Sequence, residues 1–377
     1  MHNIRMVDLK GQHESIKEEI KLEIDQVFNN TSFINGPVVN EFQKDLEKFN
    51  QVKHVIPCAN GTDALQIALM ALDLKPGDEV ITTDFTFIST IEVIALLRLK
   101  PILVDIDINT FNINPEEIKK VITNKTKVIL PVHIFGQVSD MDEIMKIARN
   151  NNIIVLEDNA QAIGAVYTNS KGKKVKSGAI GDISATSFFP SKNLGGYGDG
   201  GAIFTNDNLL EKKIRAIANH GMFKRYYHDY VGLNSRLDSI QAAILKVKLK
   251  YLDSYNEKRK KAAKNYNKFL KNRSDVIIPF IKGELDSHVF HQYTIRVDSK
   301  KRDLLADFLQ ENKIPYGIYY PVPLHLQKAY ANYQFKNENF KNTNKVVKEV
   351  ISLPMHTELR FDQIEYISNK IIEFLNK

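Results

Sequence analysis

The sequence contains one cysteine, no long apolar run, and no repeat or low-complexity segment. A single thiol has no partner for an internal disulfide, so the fold cannot depend on one. No run approaches the roughly 20 apolar residues that a membrane-spanning helix needs. The opening segment, MHNIRMVDLKGQHESIKEEIK, is charged where a signal peptide is apolar. We therefore expect a cytoplasmic protein that does not associate with a membrane.

The one cysteine, Cys58, closes the apolar run HVIPC. A free cysteine in such a run behaves as a small buried hydrophobic side chain. The alternative is a catalytic nucleophile, which needs a partly exposed and electropositive setting. The apolar run favours the structural role.

The balance of charge is positive, with 52 lysines and arginines against 45 acidic residues, a net charge of +7 and a pI near 9.0. The most basic run, NEKRKKAAKNYNKFLKNR at 256–273, carries its apolar residues at helical spacing, so its lysines lie on a solvated helix face. No zinc-finger, RNA-binding or homeodomain pattern accompanies it. We expect no nucleic-acid partner, and the mild positive field helps to attract an anionic substrate.

The length allows about two domains, and most of the chain alternates strand-like and helical segments. An amphipathic helix is predicted at 14–29, a long helical stretch at 237–270, and a smaller α+β part after it. The predicted strands lie in HVIPC, DEVITTD, PILVDID, KVILPVH, IIVLED and AIFTND. Apolar strands alternating with helices indicate an α/β domain whose mostly parallel sheet is covered on both faces. We place the large domain at 1–250 and the small domain at 251–377.

Candidate ligand-binding residues follow the strands, because an open parallel sheet binds ligands beyond its carboxyl ends. Asp158 ends IIVLED, and His133 ends KVILPVH. The first strand runs into ANGTDAL, a glycine-containing turn that opens a helix, where backbone amides can hold a phosphate. Such a turn also serves as a simple helix cap. His133 is either a ligand contact or a hydrogen-bonded core histidine.

A lysine stands between aromatic residues and glycines in SFFPSKNLGGYGDGG, which contains Lys192. A lysine shielded from water has a pKa below its usual value of about 10.4 and becomes a nucleophile toward carbonyls. The glycines precede an apolar strand, and no lysine–serine pair follows them, so neither a Rossmann turn nor a P-loop fits. Pyridoxal phosphate requires such a lysine, an anion for its ring nitrogen and a phosphate site.

Six motifs together resemble the nucleotide-sugar aminotransferases of the DegT/StrS family. In chain order they are NGTDAL, TFISTIEVI, VHIFGQ, EDNAQAIGA, SFFPSKNLGGYGDGGAIFTND and GLNSRLDSIQAAIL. The resemblance covers nearly the whole chain. It implies a pyridoxal-phosphate-dependent transferase of fold type I, with a seven-stranded, mostly parallel sheet in the large domain and a smaller α+β domain at the C-terminus.

The resemblance also implies roles for particular residues. Lys192 is the catalytic lysine that carries the cofactor as a Schiff base and later acts as general base, and Asp158 pairs with the ring nitrogen. The other implied cofactor contacts are the phosphate ligands Gly61, Thr62 and Ser187, Phe87 on the ring face, Gln161 near the phenolic oxygen, and Asn234 reaching the phosphate of the neighbouring subunit. The family pattern therefore implies a homodimer with shared active sites, and no metal.

The reaction that the resemblance implies moves an amino group from L-glutamate to a keto sugar nucleotide by ping-pong kinetics. The residues expected to contact the substrate are Arg225, His228, Tyr319, Tyr320 and His325. The chain is most similar to enzymes that aminate C3 of UDP-2-acetamido-2-deoxy-3-oxo-glucuronate for bacterial surface polysaccharides such as lipopolysaccharide O-antigen, although those enzymes have histidine where Tyr319 stands.

Three groups of alternatives remain open. The acceptor is alternatively a dTDP-linked 3-keto- or 4-keto-6-deoxyhexose. A pyridoxal-phosphate-dependent sugar dehydratase or an acyl-CoA condensing enzyme shares the fold, but the dehydratases replace the lysine with histidine. The last alternative is a regulatory protein without catalysis.

Overall fold

The computed structural model describes residues 4–377, and a seven-stranded sheet forms the centre of its larger domain. The thirteen strands of the described chain are β1 (His54–Cys58), β2 (Glu79–Thr83), β3 (Lys100–Val104), β4 (Thr126–Leu130), β5 (Ile154–Asp158), β6 (Val166–Thr168), β7 (Lys174–Lys176), β8 (Ile183–Ser187), β9 (Gly201–Thr205), β10 (Met222–Lys224), β11 (Tyr227–His228), β12 (Tyr293–Arg296) and β13 (Val350–Leu353). The order in the large sheet is β1-β9-β8-β5-β4-β2-β3. Only β9 runs antiparallel to its neighbours. The expected mostly parallel sheet is confirmed.

Helices cover both faces of this sheet. The thirteen α-helices of the described chain are α1 (Leu9–Glu14), α2 (Lys17–Asn30), α3 (Pro37–Asn50), α4 (Gly61–Ala71), α5 (Ser89–Leu96), α6 (Pro115–Val121), α7 (Met141–Asn150), α8 (Asn208–Ala218), α9 (Ser239–Leu249), α10 (Leu252–Leu270), α11 (Ser299–Glu311), α12 (Lys341–Glu349) and α13 (Phe361–Leu375). One apolar cluster joins the sheet to α4, α5 and α8, and another joins it to α6 and α7. Because both faces are covered, β2 is buried at every position. No helix within residues 4–377 is long and apolar enough to cross a membrane.

The continuous helix predicted at 237–270 is wrong in one respect, because the chain forms two helices there. α9 ends at Leu249, and α10 begins at Leu252. The first helix packs on α2 and α3, whereas the second packs on α13 of the C-terminal region. The break at 250–251 lets the chain change packing partners. The amphipathic helix expected at 14–29 is α2, which begins a few residues later.

The smaller α+β region has its own core. Strands β12 and β13 pair in antiparallel register and pack with α10, α11 and α13 around one apolar cluster. Ile4 belongs to this cluster, so the chain at this residue contacts the small domain. The C-terminal region also contacts the large domain, because Leu324 and Phe340 pack with Ile91 and Leu103. The boundary at residue 250 stays a prediction.

The predicted site residues lie at the carboxyl ends of the parallel strands of the large sheet. β5 and β8 are parallel, and both β1 and β8 are antiparallel to β9. The strands β1, β5 and β8 therefore run in the same direction, and their carboxyl ends lie on the same side. The turn that contains Lys192 joins the end of β8 to the start of β9. Residues far apart in sequence therefore lie close together at these strand ends.

Candidate active site

The first turn of α4 meets the end of β8, and the two segments together form the cradle of the candidate site. Asn60 caps the helix by accepting the Asp63 N–H at 2.8 Å. The N–H groups of Gly61 and Thr62 are left without intrahelical acceptors, as at any helix start. A Cβ on Gly61 would lie 2.7 Å from the Cβ of Ser187, so only glycine allows this approach. The structure thus brings together the three predicted phosphate ligands.

Asp158 is the last residue of β5 and is only 4% exposed. Its Oδ1 accepts the Ala160 N–H at 3.2 Å, and its Oδ2 accepts the Thr90 hydroxyl at 3.0 Å. Burial raises the pKa of Asp158, while these two donors and the charge of Lys192 oppose the rise. The result is a carboxylate in an interior that a cationic partner would stabilise further.

The sequence analysis missed Thr90, the residue that donates to Asp158. Thr90 is fully buried in the first turn of α5. The available signal was a threonine in the first turn of a mostly apolar helix, three residues after Phe87. Buried hydroxyls have hydrogen-bond partners, so this pattern calls for an acceptor on a facing element.

Lys192 lies in an irregular turn, and its side chain is partly shielded from solvent. Its backbone N–H donates to the Phe189 carbonyl at 2.8 Å. Burial lowers the pKa of Lys192 to about 8, although the negative charge of Asp158 opposes this shift. Roughly a tenth of the amine is therefore uncharged at pH 7, and this is the form that acts as a nucleophile or general base.

Gln161 and Tyr320 lie beside Asp158. The Gln161 Nε2 donates to the Tyr320 hydroxyl at 3.1 Å, and its Oε1 accepts the Phe135 N–H at 2.6 Å. Phe135 has a positive φ of 56°, a strained conformation of the kind found at functional sites. Burial and the charge of Asp158 raise the pKa of Tyr320, so its hydroxyl stays protonated. The Phe87 ring is 54% exposed and lies 6.3 Å from the Tyr320 ring, on the open side of the site.

His133 is a hydrogen-bonded core residue. Its Nδ1 accepts the Ser139 N–H at 3.2 Å, which leaves Nε2 to donate to Glu157 at 2.8 Å. Burial alone would raise the pKa of Glu157, but His133 and the N–H groups of Gly178 and Gly181 outweigh burial and lower it. Of the two alternatives for His133, the structure favours the core histidine, because neither ring nitrogen is free.

His325 also has both ring nitrogens engaged. Its Nδ1 lies 2.6 Å from Asp84 Oδ2, and its Nε2 lies 2.8 Å from Asn337 Oδ1. Asp84 follows β2, so this pair fastens the segment that carries Tyr319 and Tyr320 to the sheet. No free nitrogen remains for a sugar, and the geometry corresponds to an anchoring role. Tyr319 packs against the large-domain core.

Three predicted site residues, Arg225, His228 and Asn234, lie on exposed segments outside the first turn of α4 and the end of β8. Arg225 lies at the tip of the β10–β11 hairpin, and His228 is in β11 with its Nδ1 2.8 Å from the His220 carbonyl oxygen. Asn234 is exposed ahead of α9 and is bridged to Asn219. Within residues 4–377 no side-chain hydrogen bond joins these three residues to Gly61, Thr62 or Ser187. Within one chain they do not complete the site.

Two further side chains limit the chemistry. Cys58 is fully buried, and burial raises its pKa, so its thiolate is unavailable. His291 is buried, and burial together with the charges of Lys192 and Arg259 lowers its pKa well below the usual range. The sequence analysis missed this neutral imidazole beside the lysine.

The residues present fit pyridoxal phosphate. A cradle that a Cβ would fill, a buried carboxylate and a partly neutral amine meet the needs of its phosphate, ring nitrogen and aldehyde. No group of three or more metal-ligating side chains occurs in the part of the chain that the structure describes.

The lowered pKa of Lys192 predicts how cofactor attachment depends on pH. Only the uncharged amine attacks an aldehyde, so the attachment rate should be half-maximal near pH 8. The measurement is stopped-flow absorbance after cofactor-free protein is mixed with pyridoxal phosphate. Asp158→Asn removes the charge that raises this pKa, so its midpoint should be lower. A midpoint above 10, or no shift in Asp158→Asn, would contradict the site geometry.

Thr90→Val should weaken cofactor binding, because Asp158 loses a buried donor. A hydrogen bond to a charged group is worth about 1.5–3 kcal/mol, so we expect the Kd for pyridoxal phosphate to rise at least about tenfold. Absorbance titration measures this Kd.

The matched control is Thr82→Val on β2. That hydroxyl is equally buried but donates to the Leu130 carbonyl at 2.8 Å, away from Asp158. Equal losses in the two variants would show that Thr90 contributes only to general packing.

Curated relatives match this chain over almost its full length. A relative from Geobacillus stearothermophilus named a pleiotropic regulatory protein is 46% identical over 373 residues, covering 99% of this chain and 98% of the relative. UDP-2-acetamido-2-deoxy-3-oxo-D-glucuronate aminotransferase from Pseudomonas aeruginosa is 45% identical, covering 97% of this chain and 98% of its own.

The fold has a solved counterpart as well. The crystal structure of a DegT/DnrJ/EryC1/StrS aminotransferase from Brucella abortus covers 100% of both chains with a TM-score of 0.94 and 38% identity. This match confirms the expected fold. The model of the DegT/DnrJ/EryC1/StrS aminotransferase family matches residues 14–372, and pyridoxal phosphate is the cofactor of that family, as expected. The chain belongs to the DegT/DnrJ/EryC1/StrS aminotransferase family.

Proposed function

We propose that this protein transfers an amino group from L-glutamate to C3 of a UDP-linked 3-keto sugar of the 2-acetamido-2-deoxy-3-oxo-glucuronate type. The observation that carries the proposal is Lys192, a shielded amine with a pKa near 8, placed beside the buried carboxylate of Asp158. The name of the Pseudomonas aeruginosa relative supports this substrate class.

Bound pyridoxal phosphate supplies an aldehyde that takes up the amino group and a ring that accepts electrons when a proton leaves the neighbouring carbon. The protein supplies the rest. Lys192 Nζ accepts and returns that proton, because its lowered pKa keeps part of the amine uncharged. Asp158, held by Thr90, presents a fixed negative charge.

The acceptor side of the site has aromatic and anchoring contacts. The exposed Phe87 ring lies next to the Tyr320 ring. The Asp84–His325 pair holds the segment that contains Tyr320 against the sheet. A hydroxyl-bearing Tyr319 stands where the uronate enzymes carry histidine. The uronate assignment therefore rests on overall similarity, and the dTDP-linked keto sugars are the alternative acceptors to test.

The regulatory name of the Geobacillus stearothermophilus relative motivates a second candidate, a protein that binds the cofactor without turnover. The intact lysine, carboxylate and cradle favour catalysis. The two candidates differ in a measurable product, because only an aminotransferase converts glutamate to 2-oxoglutarate when a keto sugar nucleotide is present.

The exposed hairpin supports a homodimer with shared sites. Tyr226 is 75% exposed and Val231 is 88% exposed, and Phe223 and Tyr227 are also largely exposed. A contiguous exposed apolar surface of this kind marks a protein–protein contact. In a symmetric dimer, the hairpin and Asn234 of each subunit would complete the cradle of the other.

The wild-type protein, supplied with glutamate and UDP-2-acetamido-2-deoxy-3-oxo-glucuronate, should form 2-oxoglutarate and an amino sugar, and Lys192→Ala should form neither. Borohydride reduction should fix pyridoxal phosphate on the peptide that contains residue 192, as mass spectrometry would show. Trials with the dTDP-linked 3-keto and 4-keto sugars in the same assay identify the acceptor.

Lys248→Met is the matched control for Lys192→Ala. Lys248 is buried, and burial also lowers its pKa to about 8, so a low pKa does not distinguish the two lysines. This variant should keep both turnover and cofactor fixation. Fixation on the peptide that contains residue 248, or cofactor binding without any 2-oxoglutarate, would overturn the aminotransferase proposal.

Shared sites predict that two inactive variants restore each other. In a mixed dimer of Lys192→Ala and Asn234→Asp, one of the two sites receives an intact lysine and an intact asparagine. Random assortment then gives about a quarter of the wild-type activity. Co-refolded mixtures, assayed by 2-oxoglutarate formation, test this value. Activity no higher than in either variant alone would mean that Asn234 does not act across subunits.

A further inference from the structure

The turn that carries Lys192 has no regular secondary structure. Backbone hydrogen bonds from Lys192 to Phe189 and from Gly196 to Phe188 hold it in part, and buried side-chain contacts add to them. The amine has to move between attachment and proton transfer while its backbone stays fixed. The residue that follows, Asn193, is only 3% exposed. Its amide therefore lies inside the protein, directly next to the reactive lysine.

The Asn193 amide is bonded to α10, the helix that links the two domains. The Asn193 Nδ2 donates to Asn256 Oδ1 at 2.7 Å and to the Val289 carbonyl at 3.2 Å. The Asn256 Nδ2 in turn donates to the Ile163 carbonyl at 3.2 Å, two residues after Gln161. One buried amide thus contacts the lysine turn and the loop that follows Asp158.

The chain makes room for Asn256 at a particular glycine. Gly164 has a φ of +87°, and a Cβ there would lie 2.5 Å from Asn256 Nδ2. Any other residue would both strain the backbone and displace the amide. Local backbone geometry is therefore adapted to this contact.

The same helix also holds the small domain. One turn after Asn256, Arg259 Nη1 donates to the carbonyls of Phe290, His291 and Met355 at 3.1–3.3 Å. Arg259 is 3% exposed. α10 therefore fixes the lysine turn and the small-domain segments through adjacent buried groups.

We propose that the Asn193–Asn256 hydrogen bond makes α10 the positioning element of Lys192, and that Asn193 and Asn256 are positioning residues of the reaction. The bond holds the turn in the interior and sets the position of the amine relative to Asp158. This inference rests on the proposed function, because it concerns how the attachment site for the cofactor is held.

Loss of the bond should allow the turn to move toward water and the Lys192 amine to regain charge. The readout is the pH midpoint for attachment of pyridoxal phosphate, measured by stopped-flow absorbance. In Asn193→Ala and in Asn256→Ala the midpoint should rise by at least one pH unit. The attachment rate at pH 7.5 should then fall at least about eightfold.

A double variant separates positioning from general destabilisation. If the two asparagines act through one bond, Asn193→Ala/Asn256→Ala should shift the midpoint no further than the larger single shift. Additive shifts would overturn the proposal. If Asn193→Ala does not fold, Asn193→Ser, too short to span the contact, replaces it.

Asn50→Ala is the matched control. Asn50 is also a buried asparagine, whose Nδ2 donates to the Ser177 carbonyl at 3.2 Å and whose Oδ1 lacks a protein partner, as the Asn193 Oδ1 does. It should lower the Tm and leave the midpoint unchanged. An equal midpoint shift in Asn50→Ala, or none in the Asn193 variants, would overturn the proposal. Failure of the wild type to attach the cofactor would instead overturn the proposed function.

Discussion

The buried carboxylate of Asp158 is the constraint on which the site depends. A carboxylate that is 4% exposed is unfavourable unless donors and positive charge compensate for lost hydration. The chain provides Thr90, the Ala160 N–H and the partial charge of Lys192. A cationic ring nitrogen would complete this set. The buried carboxylate therefore favours a ligand that brings a positive group next to it.

Burial and neighbouring charge act on the pKa of Lys192 in directions opposite to those at Asp158. Shielding from water lowers its pKa, and Asp158 prevents the pKa from falling further. The two groups thus regulate each other: the carboxylate keeps the amine from becoming too weak a base, and the amine stabilises the carboxylate. At Lys248, burial together with the charge of Arg259 lowers the pKa to about 8 without such a partner. What distinguishes Lys192 is its place beside an acid and a phosphate cradle.

The architecture explains why these groups meet. The carboxyl ends of β1, β5 and β8 lie on the same side of the sheet. The first turn of α4 can contact the end of β8 only because Gly61 has no side chain. Behind the site, α10 connects the lysine turn to the small domain through Asn256 and Arg259. The segment with Tyr320 closes the opposite side and is held by the Asp84–His325 pair. Both domains therefore contribute to a single site, and apolar contacts such as those of Leu324 and Phe340 with Ile91 and Leu103 join them.

The sequence alone determined the class of fold and the central chemistry of this protein. Hydrophobic periodicity predicted six of the seven large-sheet strands. It missed β8, because ISATS is rich in small polar residues that are also typical of turns. It also joined α9 and α10, since both are strongly helical and only their packing partners differ. Strand ends and an apolar lysine motif identified Asp158 and Lys192. Only the tertiary structure decided which polar groups surround them. Thr90 donates to Asp158, Asn256 accepts from Asn193 next to Lys192, and the pKa of His291 is lowered in part by the charge of Lys192. The ring nitrogens of His133 and His325 are occupied by partners 24 and 241 residues away. Local patterns report periodicity and residue type, but hydrogen bonds between distant segments exist only after the chain has folded.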